Sequence, residues 1–258
     1  MKFINIQLIT ELVKRDFTER FAGSILGSYW SFIWPLVNIV IWTMIFSQLM
    51  GSRLAGVEGK FSYSIYLIAA ILPWNAFSAS ILRSTTVFLD KKNIISKINV
   101  ALPSMPFLIT VSESVTFIIS LAFYYLFLLV IGHTVSEYHL LLPFIFLLQQ
   151  LLAYSAGLML AVLTVFVRDL KEVVGIVLQV WFWLTPIVYV KDVLPDWLAR
   201  IIVFNPTFIL AESYQSIFVW NKLPNINHLM ALTLATFSLL LMSYFLYQKL
   251  KSDVKDFI

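Results

Sequence analysis

Apolar residues in this chain fall in long unbroken stretches separated by short polar segments, with none of the strict alternation that marks half-buried strands. A helix crossing about 30 Å of hydrocarbon needs about 20 mostly apolar residues at a rise of about 1.5 Å each. Six stretches meet this length within a turn: 29–50, 61–82, 103–131, 139–167, 173–190 and 228–247. The first two hold no charged residue and the third holds only Glu113. The pattern predicts an all-α fold, a multipass membrane bundle of six transmembrane helices in a single domain over 1–258. A seventh stretch, 197–220, carries Arg200, Glu212 and a central Asn205-Pro206. The proline interrupts helical hydrogen bonding and leaves two pieces too short to span. Region 192–224 is therefore expected to form a re-entrant pair of half-helices on the outer side.

Two polar segments carry periodicities of their own. Within 1–24, Phe3, Ile6, Ile9, Val13, Phe17 and Phe21 gather on one side of a helical wheel, with Glu11, Arg15 and Glu19 opposite. This is the pattern of an amphipathic helix lying in a membrane interface. Within 88–102, Asp90, Lys91, Lys92, Asn93 and Lys97 accompany Ile94, Ile95 and Ile98, which predicts a short amphipathic helix ending before Pro103. A solvated loop rich in cations is the plainer reading of the same residues.

Charge sets the orientation. With the N-terminus in the cytosol, thirteen of the eighteen Lys and Arg lie in cytosolic segments. They are Lys2, Lys14, Arg15, Arg20, Arg83, Lys91, Lys92, Lys97, Arg168, Lys171, Lys249, Lys251 and Lys255, leaving Arg53, Lys60, Lys191, Arg200 and Lys222 outside. By the positive-inside rule this places both termini in the cytosol, in an inner (cytoplasmic) or plasma membrane. Counting 197–220 as a span would move the last three lysines outside. Composition agrees, with 60% hydrophobic and 12% charged residues where soluble domains carry about 25% charged. The net charge of +4 is spread between apolar stretches and forms no soluble basic face for nucleic acid. The first twenty residues lack the continuous apolar core and small-residue cleavage site of a signal peptide.

Catalytic chemistry is sparse. There is no cysteine, which removes disulfides, thiolate metal sites and thiol nucleophiles. Gly51 and Gly56 have the spacing of a phosphate-binding loop, but Val57 stands where lysine is required, so ATP hydrolysis is not expected of this chain. His133, His139 and His228 are dispersed beside span ends. Glu113 is a functional candidate as an intramembrane carboxylate, although Ser112, Ser114 and Thr116 beside it would equally suit a hydrogen bond between helices. Ala153, Gly157 and Ala161 form a strip of small residues that allows close helix approach. Tryptophans inside spans (Trp34, Trp42, Trp74, Trp181, Trp183) could stack on sugar rings or could simply pack.

Two stretches carry a resemblance. RFAGSILGSYWSFIWPLVNIVIW at 20–42 and VFVRDLKEVVGIVLQVWFWLTPIVY at 165–189 resemble the Leu-Gly loop with its first span, and the Arg-Asp-Leu loop with its Leu-Thr-Pro-Ile fifth span, of ABC-2 type permeases that export polysaccharides. The nearest fit is to permeases for O-antigen or related cell-surface polysaccharides. The resemblance implies a homodimer paired with two ATP-binding cassette subunits that bind the ATP and Mg, moving a lipid-linked polysaccharide outward. Under it, residues 88–102 become a coupling helix, with Asp90, Lys91, Lys92, Asn93, Ile94 and Lys97 docking on the ATPase. Leu26, Gly27, Tyr29, Trp30, Trp34, Trp181 and Trp183 become the substrate path, and Lys14, Arg15, Arg20 and Arg168 hold the lipid diphosphate. Capsule, teichoic-acid and small-drug exporters are alternatives within the class. A multipass enzyme acting on lipid-linked sugars is the alternative outside it, and would require a cluster of acids, His or Arg at one membrane face. The cysteine-free background makes topology testable. A cysteine placed at Ser136 is expected to react with an impermeant maleimide from outside, and reaction from the cytosolic side alone would refute the six-span arrangement.

Overall fold

The computed structural model describes residues 6–49, 59–97 and 101–257; Lys2, Phe3, Gly51, Arg53, Gly56, Val57 and Ile98, named above, lie outside the described residues. Among the described residues all regular structure is helical. Helix α1 (Ile6–Arg20) leads through a 3-10 turn (Gly27–Tyr29) into α2 (Trp30–Thr43), which ends in a π-helical stretch (Met44–Leu49). There follow α3 (Ser62–Asp90), α4 (Lys92–Lys97), α5 (Ser104–Val130), α6 (Leu142–Phe166) and α7 (Leu170–Leu184). The chain closes with α8 (Asp196–Ile201), α9 (Pro206–Phe218) and α10 (Ile226–Phe257).

Five helical segments are long and apolar enough to cross a membrane: Gly27–Ser47, Ser62–Asp90, Ser104–Val130, Glu137–Phe166 and Ile226–Lys255. The expected span at 173–190 is shorter than its apolar run. Helix α7 has 15 residues, about 22 Å, and stops at Leu184 because Pro186 biases Thr185 to an extended conformation (φ −104°, ψ 129°). Beyond it the backbone is held from α3 and α9. The Tyr66 hydroxyl donates to the Pro186 and Tyr189 carbonyls at 3.1 and 2.9 Å, Tyr63 donates to Val188, and the Gln215 amide reaches the Pro186 carbonyl at 3.3 Å. At Asn205-Pro206 the helix breaks as the sequence indicates. The Asn205 side chain accepts from the Thr207 amide and caps α9, with Pro206 in its first turn.

Helix α3 is the central pillar, with α5, α6, α7 and α9 packed around it. Its contact with α6 depends on Gly157. A Cβ built there would lie 2.7 Å from Ser84 Cβ and 2.9 Å from Ser84 Oγ. A second apolar cluster, at the α1 end of the bundle, joins Leu12, Phe88, Met105, Val162 and Val254. Helix α10 therefore runs well past its apolar stretch, and its last turns dock on that cluster. Residues 92–97 and the turn between α6 and α7 lie at this same end, while His133 bonds the Phe218 carbonyl at 2.7 Å at the opposite one. Gly157→Val is expected to lower the melting temperature of the detergent-solubilised protein, at an overpacking cost of about 1–3 kcal/mol. Adding Ser84→Gly should recover part of the loss, and an unchanged melt in the single variant would contradict the close approach.

Candidate functional site

At the α1 end a network of ionised side chains joins three helices. Helix α1 turns Leu12, Asp16 and Arg20, spaced i, i+4, i+8, toward α3 and α5, and Asp16 is only 3% exposed. Val13, Phe17 and Phe21, of the apolar stripe expected to lie in the membrane interface, are half-buried. Arg83 of α3 lies between two acids. One guanidinium nitrogen forks onto both Asp16 oxygens at 2.9 and 2.8 Å, and the other reaches Glu113 Oε1 of α5 at 2.6 Å. The same Glu113 oxygen accepts from Arg20 at 2.5 Å, and Arg20 also reaches Ser112 and Thr116, each at 3.3 Å. The Ser112 hydroxyl donates to Asp16 at 2.8 Å. Lys91 closes the chain, 3.3 Å from Asp16 and 2.8 Å from Glu19.

Burial by itself raises the Asp16 carboxyl, but the bonds and charge of Arg83, the Ser112 hydroxyl and Lys91 outweigh it and hold the group below its ordinary 3.8. Glu19 is likewise lowered, by hydrogen bonds from Lys91 and Arg15. Removing one partner of such a buried pair leaves an uncompensated charge at about 3–5 kcal/mol. The exposed pairs Lys14–Glu11 and Arg15–Glu19, at 2.9 and 2.6 Å, contribute about 0.3–0.5 kcal/mol each.

Adjoining this network is a cleft of about 310 Å³ between α2, α3 and α5, lined by Arg20, Trp30, Trp34, Asn38, Trp42, Asn75 and Glu113 among others. Trp34 is 59% exposed, and its ring lies 6.2 Å from that of Trp30. Trp30 is steadied by a bond from its indole nitrogen to Ser24 at 2.8 Å. The loop before α2 turns on Gly23 (φ +82°) and Gly27 (φ +49°), where backbone conformation, not crowding, calls for glycine.

The structure thus brings Arg20, Trp30 and Trp34 together, with Leu26 and Tyr29 exposed on the neighbouring loop. It separates the others. Trp181 does not line the cleft; its indole donates to Asn205 Oδ1 at 2.8 Å and its ring meets Phe77 edge-on. Trp183 is exposed on α7, against Phe182. Lys14 and Arg15 pair within α1, and Arg168 is exposed on the turn before α7 without lining the cleft. In the segment expected to dock, Asp90 accepts from Thr86 at 2.6 Å, Lys92 and Asn93 are exposed, and Lys97 ends α4. Ile94 packs against the chain's own second cluster and Lys91 is bound to α1. Sequence reasoning missed Asp16 and Arg83. The signal was the Asp16–Arg20 spacing on an amphipathic helix, beside a span whose lone Glu113 required a cation.

A family model described as ABC-2 type transporter matches residues 7–219. The chain belongs to the ABC-2 type transporter family. The match runs from α1 to the end of α9, so both the charge network and the cleft lie inside the ABC-2 region. Relatives of the same length exist. The chain is 26% identical over 253 residues to the O-antigen export system permease protein RfbA of Myxococcus xanthus, covering 97% of this chain and 95% of that protein. It is 26% identical over 245 residues to a protein of the same description from Klebsiella pneumoniae, covering 95% and 92%.

The lowered Asp16 carboxyl fixes a pH dependence. A depressed acid contributes stability that is complete above its unfolded value and lost as pH falls through the folded one. Protection factors of the 6–20 amides, with exchange corrected for its intrinsic pH dependence, are therefore expected to stay constant from about pH 8 to about pH 5 and to fall only as pH drops below 3.8. A transition near neutrality would assign the docking of α1 to other groups.

Proposed function

We propose that this chain is the transmembrane subunit of an ATP-driven exporter that moves lipid-linked O-antigen or a related cell-surface polysaccharide outward across the inner membrane. It works as a homodimer with two ATP-binding cassette subunits, which bind the ATP and Mg and carry out hydrolysis. The ABC-2 membership and the O-antigen export relatives of matching length support this reading. The observation that carries it is the cleft, where three tryptophans of α2 stand in one wall and an arginine at one end. Aromatic faces contact the apolar side of a sugar ring without fixing its hydroxyl pattern, which suits a path for a long polymer. A cation where the path opens suits an anionic lipid head.

Helix α2 buries little of its surface within one chain, leaving Trp34, Leu36, Val40 and Ile41 exposed. A second copy set against it would complete the cleft into a conduit. Orientation rests on the cation distribution, with α1, α4 and the end of α10 toward the cytosol. Exposed Lys92 and Asn93 are the surface of α4 that remains to meet the ATPase, with Ile94 turned inward as support.

The test separates path from packing. In cells dependent on the variant, Trp34→Ala is expected to lower surface polysaccharide about two- to tenfold, the worth of one aromatic contact, with melting unchanged. Trp181→Ala should instead lower melting and export together, because it forfeits the Asn205 bond and the Phe77 contact at a cost of about 3–5 kcal/mol. Full export by Trp34→Ala would remove the cleft from the path.

A further inference from the structure

Two cavities meet at one side chain. Besides the aromatic cleft there is a second chamber of about 450 Å³ at the α1 end, walled by Asp16, Glu19, Arg83, Asp90, Lys91 and Lys171. Arg20 lines both spaces, and Glu113, 2.5 Å from it, lines the cleft. The Arg20–Glu113 pair therefore stands at the boundary between chamber and cleft.

Four cations, Arg20, Arg83, Lys91 and Lys171, converge on the chamber. Three are held by the chain's own carboxylates through charge-assisted bonds of the kind a phosphate would accept. Arg83 divides its two terminal nitrogens between Asp16 and Glu113, and two guanidinium groups share one oxygen of Glu113. Lys171 makes no ion pair among the described residues. Arg20 Nε is buried without a hydrogen-bond partner, so one donor of the site is unspent.

We propose that this chamber is a diphosphate-binding site whose seats are occupied at rest by Glu113 and Asp16, and that a diphosphate group opens the boundary between chamber and cleft by taking Arg20 and Arg83 from them. The proposal rests on the permease reading above and adds Arg83 and Lys171 to the residues that meet the head. A diphosphate offers more charge and more acceptor oxygens than one carboxylate, so the exchange conserves charge-assisted bonds at both arginines. The freed Glu113 needs donors, since an unpaired carboxylate inside a span is costly. The cleft supplies them in the Thr116 hydroxyl and the exposed amide of Asn75. While Glu113 holds Arg20, chamber and cleft are divided; once it turns into the cleft, they become one path.

The full chain, purified with its ATPase subunits, is titrated with a fluorescent polyprenyl diphosphate and, separately, with inorganic pyrophosphate. Glu113→Gln is expected to bind the polyprenyl diphosphate about three- to tenfold more tightly than wild type, because removing an occupant enlarges the competent fraction. Lys171→Gln, a change at an exposed residue that keeps the fold, is expected to bind it more weakly. Pyrophosphate binding as strong as that of the lipid would keep the site and assign it to free diphosphate; weaker binding would assign it to the lipid head. Unchanged or weaker binding by folded Glu113→Gln, or unchanged binding by Lys171→Gln, would overturn the proposal. Wild-type protein that binds neither probe yet restores surface polysaccharide would overturn the chamber alone. Wild-type protein that binds the lipid yet restores no polysaccharide would count against the permease reading.

Discussion

The guanidinium group of Arg83 is the point on which this bundle depends. It projects from the central helix at the depth where apolar sequence gives way to polar, and satisfies two acids from two different helices. Either carboxylate buried alone would carry a desolvation cost of several kcal/mol, and Arg83 alone would carry the same. Together they convert three liabilities into a joint among α1, α3 and α5. Once the joint exists, Leu12 is pressed against Phe88 and Met105, and the second apolar cluster has its lid. The first residue after α3, Lys91, is then drawn back onto α1 as well. A helix that would otherwise only lie on the bilayer is thereby made part of the protein.

Much of this could be read from the chain and some could not, for physical reasons. Apolar runs without charge are unambiguous because hydrocarbon admits no substitute, so α2, α3, α5, α6 and α10 coincide with the expected spans. Helix α7 fell short although its stop signal, Thr185-Pro186, was in view. Hydropathy continues through the proline while hydrogen bonding does not. Asn205-Pro206 gave the correct break for the same reason.

The site was only half legible. A helical wheel sorts α1 into apolar and polar faces but does not say which face meets lipid and which meets protein. Asp16 sits at the boundary and was assigned to neither. Arg83 was counted among cytosolic cations, a use that exhausts its sign and ignores its geometry. Trp34 and Trp181 are the same residue type, each inside an apolar stretch of the sequence. What separates them is a partner 24 positions along the chain, Asn205, which anchors one ring and leaves the other at an open surface.

The position of the central pillar in the chain also bears on how the protein is made. Helix α3 is the most buried of the candidate spans, yet it is the second to emerge, and α5, α6, α7 and α9, which envelop it, all come later. The hydroxyls of its Tyr63 and Tyr66 find partners up to 125 residues downstream. During synthesis it must therefore persist as a lone helix in lipid, which a mean hydropathy of 1.7 permits. The residues that end as the core begin as a lipid-facing surface. The span with the most demanding final environment is thus also the one whose composition must satisfy two solvents in turn, first acyl chains and then its own later helices.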